Sequence, residues 1–266
     1  MKKCFTINPL RKTEDFIGYH KIIEDGLYDA IEIFYPEDET SRLVYGKNVH
    51  DLLNAFPSLK VVLHLPFNRQ NDLCLMEKSE ELIDKFHKIM VFAHQFNVKK
   101  LTMHLGYVNQ DIAREVYLTH IVSVLKQLCF YANELGMSLM IENMPNDSQL
   151  GYAPEEILSI IEQVGWQNLG FIYDTGHAHV SEFPDLLYLD VLGKYLWHCH
   201  LNDNHGMKDE HLSFSKGNYD FSSFFKKTIS VNFQGFYCLE MLFNDENDLR
   251  DYAKSFDEIT KGLILK

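Results

Sequence analysis

Eight short apolar runs separated by longer amphipathic stretches set the strongest limit on how this chain can fold. They are KCFTI (3–7), DAIEIF (29–34), KVVLHL (60–65), KLTMHL (100–105), MSLMIE (137–142), LGFIYD (169–174), YLWHCHL (195–201) and FYCLEM (236–241). Between them, EKSEELIDKFHKIMVFAHQF (77–96) places Leu82, Phe86, Ile89, Met90 and Ala93 at helical spacing. DIAREVYLTHIVSVLKQLCFYANELG (111–136) does the same and ends on Gly136 as a C-terminal cap, and YAPEEILSIIEQVG (152–165) opens near Pro154 and closes at Gly165. Strands alternating with helices call for a parallel sheet with crossover connections, and eight of them close a (β/α)8 TIM barrel. At 266 residues the chain has room for one such barrel, so a single domain over 1–266 is expected.

Alternate residues of a strand face opposite ways, so each run can be split into a helix-facing and a lumen-facing set. In MSLMIE, Leu139 and Ile141 form one face and Ser138, Met140 and Glu142 the other. Applied to the other runs, the division leaves a polar lumen residue at the C-terminal end each time: His64, His104, Glu142, Asp174, His200 and Glu240. Barrel enzymes build their sites at that end. Glu32 shares the lumen parity, either as an acceptor behind the site or as a paired charge. His198 lies deeper than His200 on the same face and reads as a structural core histidine.

Carboxylates gathered in a low-dielectric pocket repel one another and lose hydration, whereas a divalent cation removes both penalties. His, Asp and Glu together suit zinc or manganese. In FIYDTGHAHV (171–180), Gly176 is expected to permit a sharp turn that returns His177 towards Asp174, and KDEHL adds Asp209 and His211. A strand-end histidine can also be a hydrogen-bonded core residue, and an aspartate can cap the next helix. That plainer account must be repeated on four strands for Glu142, Asp174, His200 and Glu240, which are therefore read as metal ligands. For His64, His104, His177, Asp209 and His211 both accounts stay open. His179 and His205 are placed at the pocket border, and His20, His50, His87, His94 and His120 on the surface. Asp220 in SKGNYDF (215–221) is equally a cap or a ligand. The chain has no G-x-S-x-G, no G-x-x-x-x-G-K-[ST] and no H-E-x-x-H.

Acidic residues outnumber basic ones by 38 to 25, for a net charge of −13, which disfavours nucleic acid as a partner. The five cysteines are scattered singly, as in a reducing compartment, and read as small core hydrophobes. The N-terminal apolar run is too short for a signal segment, and none approaches the roughly 18 residues of a membrane span. A soluble cytoplasmic protein with no membrane partner is expected.

HLPF (64–67), MHLG (103–106), IEN (141–143), YDTGHAH (173–179), HLND (200–203), DEHL (209–212) and LEM (239–241) occur in an order and strand placement that resemble the xylose isomerase-like TIM barrels. That family includes sugar and sugar-phosphate isomerases and epimerases and the type IV apurinic-site endonucleases. The resemblance spans nearly the whole chain. It implies a shared single-metal set of Glu142, Asp174, His200 and Glu240. In the epimerases the two glutamates also move the proton, and His177 would touch substrate. In the endonuclease branch a trinuclear zinc cluster would add His64, His104, His177, Asp209 and His211. Here NHGMKDEH lacks the arginines of the endonucleases, SKGN replaces their G-E-G-N, and MHLG replaces H-P-G. The expectation is a divalent-metal-dependent isomerase or epimerase of a small sugar or sugar phosphate, working through a metal-stabilised enediolate. It would carry one ion per chain, manganese or zinc, with magnesium or cobalt compatible. The alternative is a trinuclear-zinc phosphodiesterase carrying up to three ions. Arg69 and Lys216 are the candidate phosphate contacts.

Overall fold

The computed structural model describes residues 1–263, and in it each of the eight apolar runs forms a strand. These are β1 (Lys2–Ile7), β2 (Ala30–Phe34), β3 (Lys60–His64), β4 (Lys100–Met103), β5 (Ser138–Glu142), β6 (Leu169–Asp174), β7 (Leu196–Leu201) and β8 (Phe236–Leu239). They pair in parallel in chain order, and β8 returns to β1 through Lys2 opposite Phe236 and Cys4 opposite Cys238, which closes the barrel. The helices are α1 (Asp15–Glu24), α2 (Glu39–Ala55), α3 (Ser79–His94), α4 (Arg114–Glu134), α5 (Pro154–Val164), α6 (Thr175–Val180), α7 (Leu187–Leu192), α8 (Phe221–Ser230) and α9 (Glu246–Thr260). No described helix is long and apolar enough to cross a membrane.

Local chemistry sets the helix ends. Pro154 opens α5, and Gly165 closes it in the left-handed region at φ 71°. Asp38 caps α2 by accepting from the Ser41 N–H at 2.7 Å, and Asp220 caps α8 through the Ser223 N–H at 3.0 Å. Asp220 is therefore a cap and not a ligand.

The strand alternation separates two cores. Outward residues such as Leu63, Leu101, Leu139, Ile141 and Phe171 join the layer between sheet and helices. Inward residues fill the lumen, with Val62, Met140 and Ile172 packed beside Trp197 and Phe236 at the floor. Trp197 owes its place to a bulge: Phe171 pairs with Leu196 but Ile172 pairs with His198, so β7 carries one extra residue there. Leu196 consequently faces the helices while His198 and His200 face the lumen. Two expected strand-end residues, His104 and Glu240, lie one position beyond β4 and β8, where the ladder has ended but the side chain keeps its inward direction. All five cysteines are buried and unbridged.

The bulge seats the Trp197 indole against β6. A β-carbon on Gly170 would come within 2.3 Å of that ring, and the ring is held by the rest of the floor. Gly170→Ala is expected to lower unfolding stability by about 1–3 kcal/mol through overpacking. Urea denaturation followed by Trp fluorescence measures this, and an unchanged midpoint would contradict the packing described.

Candidate metal centre at the barrel mouth

Glu142, Asp174, His200 and Glu240 leave the ends of β5, β6, β7 and β8 and meet at one place. Each offers an atom that lies within 4.8 Å of those of the other three. His200 Nδ1 is 3.1 Å from Glu142 Oε1, 3.1 Å from Glu240 Oε2 and 3.9 Å from Asp174 Oδ2. Glu142 also faces a second group, with His104 Nε2 at 3.1 Å and His64 Nε2 at 3.4 Å from its Oε2. A third group forms where His177 Nε2 and His211 Nε2 approach Asp209 Oδ2 at 3.4 and 3.0 Å. The structure thus gathers all nine candidate ligands, and Glu142 is common to the first two groups.

Each of these imidazoles except His104 has one nitrogen anchored to the protein and the other turned to the carboxylates. His64 Nδ1 binds the Leu65 carbonyl at 2.8 Å, His177 Nδ1 the Asn143 carbonyl at 2.9 Å, and His211 Nδ1 the Glu240 carbonyl at 2.9 Å. His200 is turned the other way, with Nε2 held by Glu32 Oε2 at 2.9 Å. An outer hydrogen bond that fixes the ring and its tautomer is the usual arrangement behind a metal-bound histidine. The donor set, its convergence and the partnerless buried Oδ1 of Asp209 all fit a divalent cation. His211 further adopts the left-handed backbone region at φ 48°, a conformation that a non-glycine residue keeps only when its surroundings demand it.

The electrostatics follow from burial. Burial pushes the Asp174 carboxyl up to about 7, with His177 opposing and the Glu142, Glu240 and Asp209 charges adding to the rise. For Glu142, burial acts upward, but His200 and then His104 more than offset it and hold the group well below the usual range. Glu240 is lowered likewise against its burial, chiefly by His200. Burial disfavours the charged forms of His177 and His211. Even so, Asp174, Asp209 and Glu142 raise the first to about 10, and Asp209 and Glu240 raise the second to about 10.

Gly176 does not act as a turn. Thr175–Val180 is the short helix α6, capped by Asp174 Oδ1 accepting from the His177 N–H at 2.7 Å. Asp174 therefore serves as cap and cluster member together, and the helical turn brings His177 back. Glycine is required because a β-carbon there would stand 1.8 Å from Asn202 Oδ1. Two residues that the sequence reading passed over brace the centre. Asn143 spans β5 and β6, donating to the Asp174 carbonyl at 3.0 Å and accepting from its N–H at 2.8 Å. Asn202 donates to Asp174 Oδ2 at 3.1 Å. Their signal was an amide placed one or two positions after a strand-end ligand.

His198 shares Glu32 Oε2 with His200, whereas the other histidines stand apart from the cluster. His179 is shared between Asp185 and Asn218, and His205 pairs with Glu210. His50 and His94 are exposed, but His20, His87 and His120 are half-buried rather than on the surface: His20 packs on Phe56, His87 stacks on Tyr131, and His120 meets Ser79 and the Leu73 carbonyl. Arg69 stacks on Tyr107 at 3.6 Å, and Lys216 is exposed in the loop after β7. A hollow of about 240 Å³ opens beside Glu240 and His211, walled by Thr6, Asn8, Arg11 and Phe34. Phe67, half exposed, lies 4.7 Å from the His104 ring and forms an apolar wall on the other side of the mouth.

Comparison with known proteins agrees with the barrel fold. The family model described as xylose isomerase-like TIM barrel matches residues 21–261. An uncharacterized protein of Methanocaldococcus jannaschii is 28% identical over 89% of this chain and 80% of its own. Fructoselysine 3-epimerase of Escherichia coli O157:H7 is 26% identical over 61% of this chain and 62% of its own. Among solved structures, a D-tagatose 3-epimerase-like protein superposes with a TM-score of 0.80 over 99% of this chain and 98% of that one, at 23% identity, which is a likeness of fold. By the extent of the family match and the closed eight-stranded barrel, the chain belongs to the xylose isomerase-like TIM barrel family.

Proposed function

We propose that the protein is a divalent-metal-dependent sugar isomerase or epimerase in which Glu142 and Glu240 form the acid/base pair. The observation that carries this reading is the placement of those two carboxylates, one ending β5 and one just past β8, each 3.1 Å from His200 Nδ1. Glu142, Asp174, His200 and Glu240 would hold one ion, manganese or zinc being the best match to the donor set, with magnesium or cobalt compatible. That ion would supply the positive charge that stabilises an enediolate. One glutamate takes the proton from the carbon next to the substrate carbonyl, leaving the electron pair in the enediolate. The other passes a proton drawn from solvent to the opposite face and restores the carbonyl, and the first glutamate then releases its proton to solvent. His177, buried beside the pair with its Nδ1 3.6 Å from Glu142 Oε1, orients a substrate hydroxyl. The hollow beside Glu240 and the Phe67 wall suit a small polyol, free or phosphorylated. The relatedness to a fructoselysine 3-epimerase supports the same substrate class.

A second reading has one observation in its favour: the three ligand groups together resemble a trinuclear site, as a zinc phosphodiesterase requires. The net charge of −13 weighs against a DNA substrate.

In deuterated water, metal-replete protein should exchange a carbon-bound proton of at least one ketose or ketose phosphate. Glu142→Gln and Glu240→Gln should each slow that exchange by about 100-fold or more. No exchange across such a panel, together with chelator-sensitive nicking of an abasic-site duplex, would replace the isomerase by the hydrolase.

Ion binding should also depend on pH in a defined direction. His177 and His211, raised to about 10 from 6.5, stabilise the ion-free fold below pH 6.5 and lose that contribution as pH rises through about 10. Asp174, raised to about 7 from 3.8, loses its contribution as pH rises through about 7. The lowered Glu142 and Glu240 act only on the acid side, their contribution vanishing as pH falls through their folded values. The melting temperature of ion-free protein should therefore fall from about pH 6 to 10, while divalent-ion affinity rises as ligation displaces the same protons. Scanning calorimetry and ion titration across that range test both trends, and a flat affinity would remove the cluster as a ligand set.

A further inference from the structure

Below the mouth, the lumen holds a second convergence of ligating side chains that the proposed reaction does not use. Cys4, Glu32, His198 and Cys238 come from β1, β2, β7 and β8, which are consecutive around the closed barrel. The β1–β8 register sets Cys4 directly beside Cys238. Each of the four residues offers an atom within 4.8 Å of those of the other three, and all four are fully buried.

Their polar atoms are incompletely used. Glu32 Oε2 accepts from His198 Nε2 and His200 Nε2, both at 2.9 Å, but Glu32 Oε1 and His198 Nδ1 have no hydrogen-bond partner. With Nε2 donating to Glu32, the imidazole keeps the Nδ1 lone pair unused. The Cys4 thiol reaches the Phe5 carbonyl only at 3.9 Å, a weak contact. Leaving a buried acceptor without a donor costs about 1–3 kcal/mol, and here two such atoms lie on neighbouring residues. Small apolar side chains would fill the space without that cost, so packing alone does not account for the set.

We propose that Cys4, Glu32, His198 and Cys238 form a second metal site, a closed structural one for a thiophilic divalent cation such as zinc. Two sulfurs, one nitrogen and one oxygen make a four-coordinate zinc set, and the thiols exclude magnesium, calcium and manganese as preferred occupants. Zinc bond lengths of roughly 2.0–2.3 Å require ligand atoms about 3.3–3.8 Å apart, so a group whose ligand atoms lie within 4.8 Å of one another would have to contract by up to about 1 Å. Both thiols release their protons to solvent on ligation. Phe236 packs against the cysteine pair and also lines a hollow of about 440 Å³ at the N-terminal end of the barrel. All four positions would be filled by the chain, leaving none for substrate. Through Glu32 the site would brace His200 from behind.

Cobalt(II) distinguishes this site from the mouth, because only a thiolate ligand gives a near-ultraviolet sulfur-to-cobalt charge-transfer band. The full chain refolded with cobalt(II) alone should show that band. The band should persist in Asp174→Asn, which disables the mouth. The Cys4→Ala/Cys238→Ala double variant should lose it and bind one cobalt fewer per chain. Absence of the band from wild-type cobalt protein overturns the proposal even if the double variant does not fold. A wild-type ion count equal to that of a folded double variant, or a Cys4–Cys238 disulfide in protein purified under reducing conditions, overturns it as well. None of these outcomes depends on whether the mouth catalyses epimerisation.

Discussion

The mutual repulsion of buried carboxylates governs the upper half of this barrel. Glu142, Asp174 and Glu240 are brought within a few ångströms of one another, the first two fully buried and Glu240 only partly exposed, and Asp209 stands close behind. Isolated, each would be strongly disfavoured. The surrounding architecture makes sense as the means of holding them: imidazoles between the acids, a helix N-terminus at Asp174, and two asparagine amides fixing its backbone and side chain. The cost of assembling such a site is met elsewhere, by the apolar floor and the sheet–helix layer. A closed barrel supplies the rigidity, since no strand can retreat without breaking pairing on both of its edges.

Much of this was legible in the sequence because two periods were in phase. A repeat of two within each run identifies the lumen face, and its coincidence with polar residues at run ends locates the mouth. The limits of that logic are equally physical. Alternation gives direction but not distance, so the division of nine residues into three groups, two sharing Glu142 and one built on Asp209, is not legible in it. Nor could the partner of a buried charge: Glu32 was open between two roles, and only the fold shows that it accepts from His198 and His200 together. Gly176 was assigned the commonest reason for a glycine, backbone freedom, when the operative one is clearance from Asn202. Asn143 and Asn202 are not legible in the same way, because an amide carries no charge to mark it as part of an electrostatic design.

The sharing of Glu142 between two groups bears on how one fold serves different chemistries. With one ion held by the four-residue set, as proposed, His64 and His104 would remain uncoordinated imidazoles beside Glu142. With further ions, the same two rings would serve as ligands. The choice rests on side chains from other loops, where this chain has few cationic groups, and on the occupancy of sites that the barrel provides in either case.

The extra residue at Trp197 has a consequence for how this barrel tolerates change in length. Upstream of it, β7 keeps one phase with β6, and downstream it keeps the other, so the two segments are decoupled where they meet. An insertion accommodated there goes no further: the indole tucks beneath the floor, and His198 and His200 hold their inward aim. The strand behaves as two lengths joined by a slip, so changes at the closed end of the barrel need not propagate to the open end, where the chemistry is done.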